Sequence, residues 1–99
     1  MTLRVFFRKA ARLEYEEAAI WYESQKPALG AQFVVEIEHA LTKACEAPQR
    51  FPKMLHDVRA TRVQRFPYSV FFRVRADRLI VLAVFHARRD PRVWRERTA

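Results

Sequence analysis

The sequence predicts an α+β fold. An N-terminal strand comes first, then a two-helix hairpin on one face of an antiparallel sheet, then three consecutive strands (β-α-α-β-β-β) and a short basic C-terminal tail. Three observations predict it. Apolar residues recur at helical spacing between about Lys9 and Ala47. Three β-prone runs then follow one another with only short turns between them. The last run is apolar at seven successive positions, Leu79 to Phe85, and is too short and too branched for a helix, so it reads as a strand buried on both faces.

Leu3-Arg4-Val5-Phe6-Phe7 is β-prone and hands over at once to a segment dense in alanine and glutamate. From Lys9 to Ser24, Leu13 and Ile20 form one apolar line, and Ala11, Tyr15, Ala18 and Tyr22 form another. An arc this broad predicts contact with both a sheet and a second helix. Pro27 and Gly30 mark the turn, and the second helix runs from Leu29 to Ala47 with Phe33, Ile37, Leu41, Ala44 and Cys45 on one stripe until Pro48 ends it. The short connection makes the pair a hairpin. Pro48 to Asp57 reads as a loop, followed by strands over Val58–Arg65, Tyr68–Arg75 and Arg78–Ala87. Pro67 separates the first two strands and Ala76-Asp77 joins the last two. Asp90-Pro91 stops the final strand, because Pro91 has no N–H to donate and biases Asp90 away from helix.

At 99 residues the chain has room for one domain with one core, spanning residues 1–99. Thirteen aromatics and 51% apolar residues argue against disorder. No apolar segment approaches a membrane span and no signal-peptide pattern opens the chain, so a cytoplasmic protein with no membrane partner is expected. Cys45 is alone, which excludes an intrachain disulfide and makes a small buried hydrophobe its expected role. His39, His56 and His86 fall on a helix, a loop and a strand end without further ligands at suitable spacing, so no metal is expected. One glycine cannot build a phosphate loop, and no cofactor is expected. The net charge of +8 is unevenly placed: residues 1–49 carry six basic and seven acidic side chains, and residues 50–99 carry thirteen and four. Fifteen of the nineteen basic residues are arginine, the side chain suited to bidentate contact with phosphate or carboxylate, so the partner should be anionic.

Several blocks are specific. Glu14, Glu16 and Glu17 precede Trp21-Tyr22 on the first helix, and the second helix closes at Pro48. Arg65-Phe66-Pro67-Tyr68-Ser69-Val70-Phe71-Phe72-Arg73 leads into the hairpin, and the last strand ends Val84-Phe85-His86-Ala87-Arg88-Arg89-Asp90-Pro91. With this element order, the chain resembles the RelE/ParE superfamily of toxins from bacterial type II toxin–antitoxin systems. The resemblance covers nearly the whole chain. It implies a small basic toxin that inhibits growth, serves plasmid stabilisation, and is neutralised by an acidic antitoxin that folds as it binds, in a toxin–antitoxin hetero-oligomer. Members resembling ParE poison DNA gyrase, and members resembling RelE cleave messenger RNA on the ribosome without a metal ion.

Cleaving RNA through its 2′-hydroxyl needs an acid, a base and positive charge at the phosphate. His86 with Arg65, Arg73 and Arg88 could supply that set, whereas a protein that docks on an enzyme needs only shape and charge. The second half of the chain offers one glutamate, Glu96, and one lysine, Lys53, which is thin for a nuclease cleft. The ParE-like reading is therefore preferred, with His86, Arg88, Arg89 and Trp94 as target-binding residues. Tyr15, Trp21, Tyr22 and Arg73 are the candidates for antitoxin contact, although packing needs the aromatics first. The tail arginines Arg92, Arg95 and Arg97 read as solvated surface charges.

Overall fold

The computed structural model describes residues 3–98. Its elements are β1 (Arg4–Phe7), α1 (Lys9–Gln25), α2 (Leu29–Glu46), β2 (Lys53–Leu55), β3 (Val58–Arg62), β4 (Tyr68–Arg75), β5 (Arg78–His86) and α3 (Arg92–Arg95). The strands form one sheet in the order β1-β5-β4-β3-β2. The α+β class and the element order are those expected, with two additions, β2 and the short helix α3 in the tail. The expected loop Pro48–Asp57 contains a 3-10 turn at Pro48–Arg50 and the short strand β2, which pairs with β3 through Lys53↔Arg59 and Leu55↔Val58. Three residues are too few to show a period, so β2 is defined by the edge that β3 offers it.

All neighbouring strands pair antiparallel except β1, which runs parallel to β5 (Arg4↔Arg78 to Phe7↔Val81). Strands joined by tight turns must reverse direction, whereas β1 reaches β5 through the whole helical hairpin and is under no such constraint. β3 stops at Arg62, three residues earlier than expected. Beyond it the chain passes through left-handed backbone at Arg65 (φ 72°) on the way to Pro67. β5 ends at His86, because Pro67 accepts the Ala87 N–H at 2.8 Å but has no N–H to return the bond.

Two apolar layers hold the sheet. On one face Ala11, Ala18, Phe33, Ile37, Leu41 and Ala44 pack against Val70, Phe72, Leu79, Val81 and Val84. On the other, Val58, Phe71, Leu82, Ala83 and Phe85 are covered by Trp94 from the C-terminal tail. Leu13 and Ile20 do not join either layer. They are 48% and 70% exposed, because 100° per residue sets them roughly opposite Ala11 and Ala18, and α2 packs along the side of α1 that carries Ala19 and Glu23. That packing explains the single glycine. A Cβ on Gly30 would lie 2.4 Å from the Ala19 carbonyl oxygen. The Glu23 carboxylate accepts from the N–H groups of Ala28 and Gly30, both at 2.9 Å, and so serves the unpaired donors at the start of α2.

The register of β4 and β5 contains a bulge. Phe71 faces Ala83 and Phe72 faces Val81, so Leu82 is the extra residue. Leu79 and Val81 point to the helices before it, and Val84 does so after it, while Leu82, Ala83 and Phe85 belong to the other layer. The inserted residue reverses the alternation, and it decides where the strand end delivers His86.

Candidate functional site

His86 faces Tyr68 across the ladder, their rings 5.1 Å apart and edge to face, on the side of the sheet that carries the helices. There a shallow groove of about 320 Å³ runs between α1 and the end of β5, lined by Glu14, Glu17, Ala18, Trp21, Tyr68, Val84, His86 and Arg89. Trp21 is 58% exposed at its rim. The His86 ring accepts the Arg88 N–H on Nδ1 at 3.0 Å, which assigns the proton of a neutral ring to Nε2. Burial raises the Tyr68 phenol above its ordinary pKa, with Tyr22 and Glu14 adding to the shift against the pull of Arg89, so Tyr68 remains a hydroxyl donor.

Glu14 organises one wall. Its Oε1 accepts from the Val84 N–H at 3.0 Å and from Arg97 at 2.9 Å, and its Oε2 from Arg97 at 2.9 Å and Arg89 at 2.5 Å. Arg97 also donates to the Leu82 carbonyl at 3.0 Å. β1 pairs with β5 only as far as Val81, so Glu14 and Arg97 supply partners to that strand beyond the end of β1. Burial pushes the Glu14 pKa up, but hydrogen bonds from Arg97, Arg89 and Val84 outweigh it and hold the carboxyl below its usual range. Arg97, expected to be a solvated charge, is instead a structural tie between the tail, β5 and α1. Sequence reading missed both roles. The available signal was a carboxylate at Glu14 on the line Ala11–Glu14–Ala18, which otherwise faces the core.

The residues expected to form a nuclease set are dispersed. Arg73 pairs with Ile80 on the opposite face of the sheet from His86, where it is 7% exposed and held by the Thr98 carbonyl at 2.8 Å and Asp57 at 3.1 Å. Arg65 turns toward α2, 3.8 Å from Glu36. Arg88 is exposed in the turn after β5, where its backbone, not its side chain, meets His86. Arg89 is the one guanidinium of the ending that lines the groove beside His86. It binds Glu14 and lies 4.5 Å over the Phe85 ring.

The target-binding and antitoxin-binding candidates also separate. Trp94 is 3% exposed and stacked on Phe71 with centroids 4.1 Å apart, which places it in the core. Tyr15 stacks on Phe7, and Tyr22 packs edge to face on Phe66 at 4.9 Å, so both serve the layer beneath the helices. Trp21 alone of these aromatics stands mostly free. Arg73 lies on the far face from all three. Cys45 is half-buried, and burial raises its thiol pKa, which keeps it from acting as a reactive thiolate. Among the described residues no three histidine, cysteine or carboxylate side chains converge, and no helix is long and apolar enough to cross a membrane.

The comparisons with known proteins agree with this architecture. Residues 5–91 match the family described as ParE toxin of type II toxin–antitoxin system, parDE. A solved structure titled as the chromosomal ParDE TA system from P. aeruginosa superposes with a TM-score of 0.73 at 17% identity. The match covers 86% of this chain and 96% of that one, a likeness of fold. A search of curated proteins found no significant match.

Proposed function

The chain belongs to the ParE toxin family of type II toxin–antitoxin systems, and on that premise we propose that it arrests growth by docking on DNA gyrase until a cognate antitoxin covers it. One observation carries the choice of docking over RNA cleavage: Arg65, Arg73 and Arg88, the cations expected to hold the phosphate, do not converge on His86. Its Nδ1 is held by the Arg88 N–H, Arg89 is tied to Glu14, and Arg73 is on the other face of the sheet. Metal-free RNA cleavage needs an acid–base pair around the 2′-hydroxyl and charge at the phosphate. The groove offers instead Ala18, Trp21 and Val84 between charged rims, a surface that fits an amphipathic segment. The antitoxin fits the same chemistry: an acidic segment, disordered alone, that orders as it covers apolar surface and arginines together.

The test is supercoiling of relaxed plasmid by gyrase and ATP with the purified chain added. Inhibition with linear DNA trapped by the enzyme is the expected result. Unaffected gyrase at saturating toxin would transfer the function to RNA cleavage on the ribosome. His86→Ala separates the two within one protein. A docking surface predicts less than about a tenfold loss of toxicity, whereas loss of an acid or base costs about a hundredfold or more with the fold intact.

A further inference from the structure

The outer face of the sheet, opposite α1 and α2, is covered by Trp94 over Phe71 and its neighbours and by Thr98 over Arg73. Toward the Ala76-Asp77 turn it is open. There the register sets Arg4 on β1, Arg78 on β5 and Arg75 on β4 side by side, Arg4 opposite Arg78 and Arg78 opposite Arg75. All three are exposed. In the adjacent row stand Phe6, Ile80 and Arg73. Like charges directly opposite one another on a sheet are destabilising, so folding alone disfavours this ladder of three guanidiniums.

The arginines are incompletely neutralised. Among the described residues Arg4 and Arg78 form no ion pair. Both lie over the Phe6 ring, at 5.5 and 4.7 Å. Arg75 and Arg73 share one carboxylate, Asp57, and the Nε of Arg73 is buried without a hydrogen-bond partner. Asp77, in the turn beside the row, is the other carboxylate there among the described residues. Three exposed arginines, with the buried Arg73 beneath them taking part of Asp57, leave a positive patch on a rigid support.

We propose that this row binds the phosphate backbone of duplex DNA. Guanidinium forks match phosphate oxygens in pairs. Three neighbouring strands hold the row over about 10 Å, and a duplex presents a phosphate about every 1.7 Å of its axis. Phe6, the aromatic of the patch, has guanidiniums over its ring, so it offers no platform for unstacked bases, on which single-strand binding depends. An acidic peptide would need apolar anchors beside its charges, and Phe6, the exposed aromatic of the patch, is overlain by the Arg4 and Arg78 guanidiniums. The contact lies on the opposite face from the groove at His86 and does not require gyrase.

The experiment is fluorescence anisotropy of a short labelled duplex with the full chain, titrated at several salt concentrations. The native chain binds with a steep salt dependence. The double variant Arg4→Gln/Arg78→Gln binds about tenfold more weakly at low salt, and the slope of log K against log salt falls by about 2. A control, Lys9→Gln/Lys43→Gln, removes the same charge from the helices and leaves the slope unchanged. Relieving the ladder also leaves the melting temperature of the Arg4/Arg78 variant equal or higher, so misfolding would be visible. Equal losses in both variants, no binding of the native chain at low salt, or tighter binding to a single strand would each overturn the proposal. Gyrase is absent from the assay, so its outcome is independent of the supercoiling test.

Discussion

Burial alone raises the Glu14 carboxyl toward its neutral form, yet Arg97, Arg89 and the Val84 N–H lower its pKa below the usual carboxylate range. A depressed carboxylate contributes stability above its unfolded pKa, and that contribution is lost as pH falls through the folded value. Glu14→Gln is therefore expected to lower stability near neutral pH by about 2 kcal/mol, roughly 10 °C in melting temperature. The gap between native and variant chains should close as the pH is taken below the carboxylate range. Urea denaturation at several pH values measures it, and a gap independent of pH would contradict the role of the charge. Gly30 is the second residue on which much depends. Gly30→Ala must displace the Ala19 carbonyl that lies 2.4 Å from the new Cβ, and a loss of about 1–3 kcal/mol is expected from calorimetry.

Among the elements, β5 carries the most. Its run of seven apolar residues marks it as a strand buried on both faces, and every residue from Leu79 to Phe85 except Ile80 is buried. Local sequence holds no sign of the bulge at Leu82, which arises when the hairpin register meets the packing of two unequal layers. Without it, alternation from Leu79 and Val81 would send His86 to the outer face, the side of Arg73. The tail belongs to the same account. Asp90 accepts the Arg92 N–H at 3.0 Å and starts α3, and the chain then lays Trp94 on Phe71. Trp94→Ala is expected to cost about 3–5 kcal/mol, read by chemical denaturation. A change within about 0.5 kcal/mol would instead mark Trp94 as a surface residue.

Across the whole molecule, charge divides with the layers. Residues 1–49, which build β1, α1 and α2, are nearly neutral, and residues 50–99, which build the other strands and the tail, carry the excess of arginine. An acidic partner segment is therefore drawn to the sheet and tail, while Leu13, Ile20 and Trp21 leave apolar area on the outer side and rim of α1. A peptide of the antitoxin's C-terminal segment, added in thermal melts, should raise the melting temperature, and added salt should shrink that rise. No upward shift would count against neutralisation by a segment that folds on binding.

Element order, the two helices and the three long strands were legible in the sequence because each rests on local periodicity and on the punctuation of Pro48, Pro67 and Pro91. The excess of arginine and the expectation of an anionic partner were legible for the same reason, since composition needs no coordinates. The core role of Trp94, the tie between Glu14 and Arg97, and the separation of His86 from Arg73 were not. Each depends on which residues from distant segments share a face, and that is set by register, by one inserted residue in β5 and by where the tail lands. Local sequence determined the two long helices, the longer strands and the charge of this protein; the long-range packing of its two layers alone decided which side chains meet, because a shift of one residue along a strand exchanges one face for the other.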